Sequence, residues 1–132
     1  MAIDYGTKRV GIAVTDTLQI IASPLDTVHA SEVVVFIEKY CGKEDVETIV
    51  VGEPKKLNNE SADIEQHIKG FIRSLQKRLP TIEIQRIDER FTSKIAFQSI
   101  IDSGLNKKKR SQKEIVDQVS AALILQSYLE KK

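Results

Sequence analysis

Aromatic side chains make up only 5% of this 132-residue chain, too few for the stacked platform that grips single-stranded nucleic acid. One cysteine, Cys41, is present. It has no partner for an internal disulfide, and a lone thiol suits a reducing compartment. His29 and His67 are the only histidines, which leaves too few soft ligands for a structural zinc site. No apolar run approaches the roughly 20 residues that span a bilayer. The N-terminus opens into a strand-like segment without the layout of a signal peptide. Cytoplasmic residence is the expectation, with no membrane contact. Charge of one sign is also lacking: the net charge is +1, so any electrostatic preference must come from distribution.

What is present fits a single domain over 1–132. The apolar share is 41% and the charged share 30%, ordinary values for a folded globular chain. A chain of this length buries roughly two-thirds of its unfolded surface, enough for a core without staples. Met1 to Tyr5 is short and apolar apart from Asp4. After Gly6-Thr7-Lys8, the stretch Arg9 to Thr15 alternates, with Val10, Ile12 and Val14 on one side, which predicts a pair of strands. A third strand is expected over Ile20 to Val28, where Pro24 indicates an edge or a bulge.

Ser31 is expected to cap a helix carrying Val33, Phe36, Ile37 and Tyr40 at helical spacing, with Gly42 as its stop. Thr48 to Val51 is uniformly apolar after its threonine, as a strand covered on both faces would be, and ends at Gly52-Glu53-Pro54. A second helix is expected from about Asn58–Ser61 to Pro80, with its stripe at Ile64, Ile68, Ile72, Leu75 and Leu79. Ile82 to Ile87 reads as a fifth strand. Thr92 or Ser93 opens a third helix ending at Gly104. Ser111-Gln112-Lys113-Glu114 has capping-box spacing and starts a last helix that runs to about Leu129. The order β-β-β-α-β-α-β-α-α predicts an α/β domain. Its five-stranded mixed sheet starts with three antiparallel strands, continues with parallel ones, and carries helices on both faces.

Three acidic positions are locally out of place. Asp4 interrupts a strand that belongs inside the sheet, where burying a lone carboxylate costs several kcal/mol unless compensated. Asp117 shares a helix face with Ala121, Ile124 and Tyr128, a stripe that should meet the core. Asp88 and Glu89 close the fifth strand, where sites commonly form. Carboxylates gathered from distant segments stay ionised if a cation neutralises them. Mg²⁺ or Mn²⁺ suits such oxygen donors and keeps waters for phosphate. A pair of such ions can activate water and stabilise the leaving oxygen in phosphodiester cleavage. The residues alone also accommodate plainer roles. Asp4 could accept turn hydrogen bonds, Asp117 could sit near a favourable helix N-terminus, and Asp88-Glu89-Arg90 could be a solvated strand end.

Lys107, Lys108, Lys109, Arg110 and Lys113 fall within seven residues, just before the helix bearing Asp117. Such a run is either a solvated loop or a phosphate-neutralising patch that does not read sequence. Lys8, Arg9, Lys55 and Lys56 follow the ends of other strands and would extend it.

The stretch from Asp4-Tyr5-Gly6-Thr7-Lys8-Arg9 to Val14 resembles the opening signature of the YqgF family. Asp88-Glu89-Arg90-Phe91-Thr92-Ser93 is similar to the second family motif, and Val116-Asp117 through Leu125 to the third. The resemblance implies an RNase H-like fold and metal-dependent hydrolysis of nucleic-acid phosphodiesters. Members are described as pre-16S ribosomal RNA nucleases or Holliday-junction resolvases. By position the presumed catalytic and metal-binding acids are Asp4, Glu89 and Asp117. Asp88 is a further candidate ligand, and so is Glu53, which stands where the family often has leucine; a solvated turn is the alternative for Glu53. Lys8, Arg9, Arg90 and the basic run match positions suited to phosphate. The implied partners are structured precursor rRNA or branched DNA; a monomer is expected, since no helix shows a second apolar stripe, with a dimer, which would favour a junction substrate, as the alternative. Family members usually carry a few residues before the first strand, so an earlier start is expected. Two rivals remain: a non-catalytic module docking on RNA or the transcription machinery, and a phosphate-transferring ATPase of the actin and sugar-kinase type, which closes two such domains around its nucleotide.

Overall fold

The computed structural model describes residues 1–16, 18, 21–53, 59–88 and 112–131. Alternation in the first fifteen residues produces β1 (Ala2–Tyr5) and β2 (Arg9–Thr15), joined through Gly6-Thr7-Lys8, and β3 (Ala22–His29) follows. Then come α1 (Val33–Lys43), β4 (Thr48–Glu53), α2 (Asn59–Arg78), β5 (Glu83–Asp88) and α3 (Gln112–Lys131). The five strands form one sheet in the order β3-β2-β1-β4-β5. β2 pairs antiparallel with β1 and with β3, whereas β4 runs parallel to both β1 and β5. This is the expected mixed sheet.

Period-two alternation sorts the core into two layers. Ile3, Val10, Ile12, Ile49 and Val51 face α1 and α2, where they meet Val33, Ile37, Ile68, Phe71 and Leu75. Ala2, Ala13, Val50 and Ile87 face the other way and meet Ala121, Ala122, Ile124 and Leu125 of α3. Helices therefore cover both faces. Alanines make up half of the buried residues in the second layer, which lets α3 approach the sheet closely. Leu75 is fully buried in the first layer, and Leu75→Ala is expected to cost about 2–5 kcal/mol, read from the urea midpoint of the purified protein.

Local expectations needed correction at Ser31, at Gly42 and at the start of the third strand. Ser31 does not cap α1. The N-cap is Glu32, without a side-chain cap bond, because the Ser31 hydroxyl is engaged with His29 Nδ1 at 2.8 Å. Nor does Gly42 stop the helix, which continues through Lys43 until the extended Glu44, whose N–H donates to the Tyr40 carbonyl at 2.8 Å. Pro24 does what its type requires. It lies on the edge strand β3, where the register shifts between Ile12 and Ala13 so that one extra residue, Leu25, is accommodated as a bulge. Ile21 lies outside that strand and is 61% exposed. The helix expected from Thr92 or Ser93 to Gly104 falls outside the described residues, as does Ser111.

Candidate active site

Because β1, β4 and β5 are parallel, their C-terminal ends share one end of the sheet, and β2 begins there too. Open α/β sheets bind ligands at such ends. Asp4 lies in the central strand with Gly11 of β2 as its partner, and Ala2 in β1 is paired with Ala13. Ala2 and Ala13 belong to the α3 layer, so alternation assigns Asp4 and Gly11 to that layer as well.

Gly11 explains how Asp117 reaches the same place. A Cβ on Gly11 would overlap the backbone carbonyl of Asp117. The helix backbone thus lies directly on the strand, in the space that any other residue would fill. Gly6 has a related task in the β1–β2 connection, since a Cβ there would stand 2.6 Å from the Arg9 carbonyl oxygen. Both expected acids, Asp4 and Asp117, consequently flank Gly11 on one face of the sheet. Neither is fully buried.

Arg9 lies two residues before Gly11 and shares its side of β2. Its Nε donates to Asp117 Oδ2 at 2.7 Å, joining positions 108 apart in sequence. The pair is partly open to solvent, with side-chain exposures of 41% for Arg9 and 21% for Asp117. An ion pair this exposed contributes at most about 1 kcal/mol, so it orients the carboxylate without locking it. Arg9 was expected to hold phosphate; in this structure it holds an acid. Lys8 is exposed beside it, and its carbonyl accepts from the Ala30 N–H at 3.0 Å.

The supplementary ligand candidates lie elsewhere. In β4, Glu53 has the parity of Ile49 and Val51, which face α1 and α2. Asp88 is paired with Glu53 and has the parity of Arg86, whose guanidinium reaches Glu65 of α2 at 2.8 Å. Alternation therefore assigns Glu53 and Asp88 to the face opposite Asp4. Arg86 also donates to the carbonyls of Val51 at 3.2 Å and Gly52 at 3.0 Å. It thereby fastens the end of β4 beside the site, a function that no local sequence pattern announced.

Glu89, Arg90, Lys55, Lys56, Lys107, Lys108, Lys109 and Arg110 lie outside the described residues, as does the side chain of Lys113. Among the described residues, no three Asp, Glu, His or Cys side chains gather into a metal-binding group; the third expected acid is Glu89. Asp4 and Asp117 are nevertheless hard oxygen donors on one face, a donor set that fits Mg²⁺ or Mn²⁺. Burial pushes the Cys41 thiol pKa above its usual value, which disfavours the reactive thiolate. A cavity of about 190 Å³ lies at the other end of the sheet and is lined in part by Asp16, Glu44, Asp45 and Glu47. Those carboxylates would repel phosphate, so size alone does not mark the nucleic-acid site.

Known proteins resemble this chain in sequence and in fold. A family model described as RuvX, Holliday junction resolvase, matches residues 1–131. A Bacteroides fragilis protein named "putative pre-16S rRNA nuclease" is 52% identical over 132 residues, covering 100% of this chain and 96% of its own. A Christiangramia forsetii protein of the same name is 50% identical over 129 residues, covering 98% and 96%. Among solved structures, the Fowlpox virus resolvase in complex with Holliday junction DNA superposes with a TM-score of 0.53 at 12% identity, covering 98% of this chain and 95% of that one. That likeness is one of fold and supports the RNase H-like assignment.

Proposed function

Since the chain belongs to the RuvX family of Holliday junction resolvases, the YqgF family of its motifs, we propose that it is a nuclease hydrolysing phosphodiester bonds with Asp4, Glu89 and Asp117 as its acids. The observation that supports this reading is the placement of Asp4 and Asp117 toward one sheet face, on either side of a glycine that admits the helix backbone. Two acids from segments so far apart repel one another on one face unless cations offset them; Arg9 does so for Asp117 here, and a bound metal would do so in the loaded site.

Asp4, on the rigid central strand, is the fixed ligand. Asp117 approaches from α3, and Glu89 is assigned by its motif. Bound Mg²⁺, alone or as a pair, would supply Lewis acidity to the attacking water and the leaving oxygen. The chain's own residues hold those ligands in place and neutralise the substrate: Lys8, Arg90 and the run Lys107, Lys108, Lys109, Arg110 and Lys113 are assigned to phosphate, by charge rather than by base identity. The relatives' names favour precursor 16S rRNA, and with it the cytoplasm; the resemblance of the motifs adds its 5′ end. No helix among the described residues is long and apolar enough to cross a membrane.

Purified protein incubated with Mg²⁺ or Mn²⁺ is expected to cut a precursor rRNA fragment, and excess EDTA is expected to abolish cleavage, with recovery when metal is restored. A four-way DNA junction in a parallel reaction tests the second reading, which rests on the family description. Resolution needs two symmetric cuts and so a dimer, whereas trimming one strand needs only a monomer. Cleavage unaffected by chelator would exclude the carboxylate mechanism. Nucleic-acid binding that ignores both metal and Asp4→Asn, with no cleavage, would leave a docking module.

A further inference from the structure

The pairing of Arg9 with Asp117 carries a consequence for how the proposed site is loaded, and it rests on the nuclease reading above. An arginine at the start of β2 spans the distance to α3 and places Nε 2.7 Å from Asp117 Oδ2. Both side chains are partly exposed, so neither burial nor packing requires the contact. It does meet an electrostatic need. Asp4 and Asp117 lie on one face about Gly11, and a cation beside Asp117 offsets the like-charge repulsion.

We infer that Arg9 is a placeholder cation for the metal, holding Asp117 while the site is empty and passing to a substrate phosphate once metal has taken the carboxylate. The chemistry of the two partners supports an exchange. A guanidinium binds carboxylate and phosphate through the same fork of donors. A divalent ion carries twice the charge and takes oxygen ligands directly. Because the exposed pair is weak, displacement by metal is easy. Once Arg9 is displaced, its charge lies at the end of the sheet where substrate arrives. Metal and nucleic acid therefore bind cooperatively through one side chain, and the coupling is reciprocal.

Two measurements on the full chain test this apart from turnover. Calorimetric titration with Mn²⁺ is expected to show Arg9→Ala and Arg9→Gln binding the ion about three- to fivefold more tightly than the natural protein, the factor set by loss of a competing exposed ion pair. In an Asp117→Asn background the same Arg9 substitutions are expected to change nothing. The second measurement is the salt dependence of affinity for a fluorescent four-way DNA junction or RNA hairpin. With Ca²⁺ present, removing Arg9 is expected to reduce the salt slope by about one; in EDTA the slopes of the two proteins are expected to coincide. Mn²⁺ affinity that is unchanged or weaker in both Arg9 variants overturns the inference, because Arg9 then only positions Asp117. A slope difference that persists in EDTA overturns it as well. Undiminished Mn²⁺ binding by Asp4→Asn and Asp117→Asn would instead remove the proposed metal site itself.

Discussion

Asp4→Asn is expected to lower metal-dependent cleavage by roughly a hundredfold or more while leaving the folded protein intact. Loss of a residue that merely supports a metal ligand typically costs 10- to 100-fold, so loss of a ligand should cost at least the upper end. Asn has nearly the same volume and shape, which spares the packing between β1 and β2, where Asp4 is paired with Gly11. What it removes is the negative charge that a hard divalent ion requires. The expected signature is therefore a separation of two readouts: initial cleavage rate collapses, while circular dichroism and the thermal midpoint stay close to those of the natural protein. Equal rates for the two proteins across a Mg²⁺ titration would remove Asp4 from the mechanism.

Gly11→Ala should have the largest structural effect of any single methyl group in the described part of the molecule. The added carbon would collide with the Asp117 carbonyl, which is backbone and cannot rotate aside. α3 must then lift from β2, opening the alanine layer formed by Ala2, Ala13, Ala121 and Ala122. Overpacking of this kind costs about 1–3 kcal/mol, and more where the obstacle is rigid. Catalysis should suffer beyond stability, because lifting the helix carries Asp117 away from Asp4, and a misplacement near 1 Å can cost about a hundredfold. Gly70→Ala is the control. A Cβ at Gly70 meets nothing within 4 Å, and alanine in that helical position is expected to add about 0.5–1 kcal/mol. Urea unfolding of the two variants should move in opposite directions. A Gly11→Ala protein as stable and as active as its parent would contradict the helix-on-strand contact.

These two residues also mark how much was legible in the chain. Asp4 could be singled out because it breaks an apolar strand, and Asp117 because it falls on an apolar helical stripe; each is an anomaly against its immediate neighbours. Gly11 offered a fainter signal, a residue without a side chain inside an otherwise well-filled strand, which points to close approach of another backbone. Ser31 misled for the opposite reason. Its type suits a helix cap, but His29, two residues away, competes for the hydroxyl, and local propensity gave way to a specific bond. At Gly42 the preference for ending a helix is weak, and α1 continues one residue further.

Side-chain order along the chain determined the strands, the described helices and the two-layer core, and it made Asp4 and Asp117 stand out, because burial acts through periods of two and 3.6 residues that a linear string displays directly. Which acids share a face, and which cation meets them, was decided only by folding. Asp88 and Glu53 are supplementary candidates in one dimension, as acids at strand ends, yet strand register turns them to the side of the sheet opposite Asp4. The meeting of Arg9 with Asp117 joins positions 108 apart, and it depends on sheet order and on the depth to which a glycine admits a helix. Neither quantity has a period, so neither is written in local pattern.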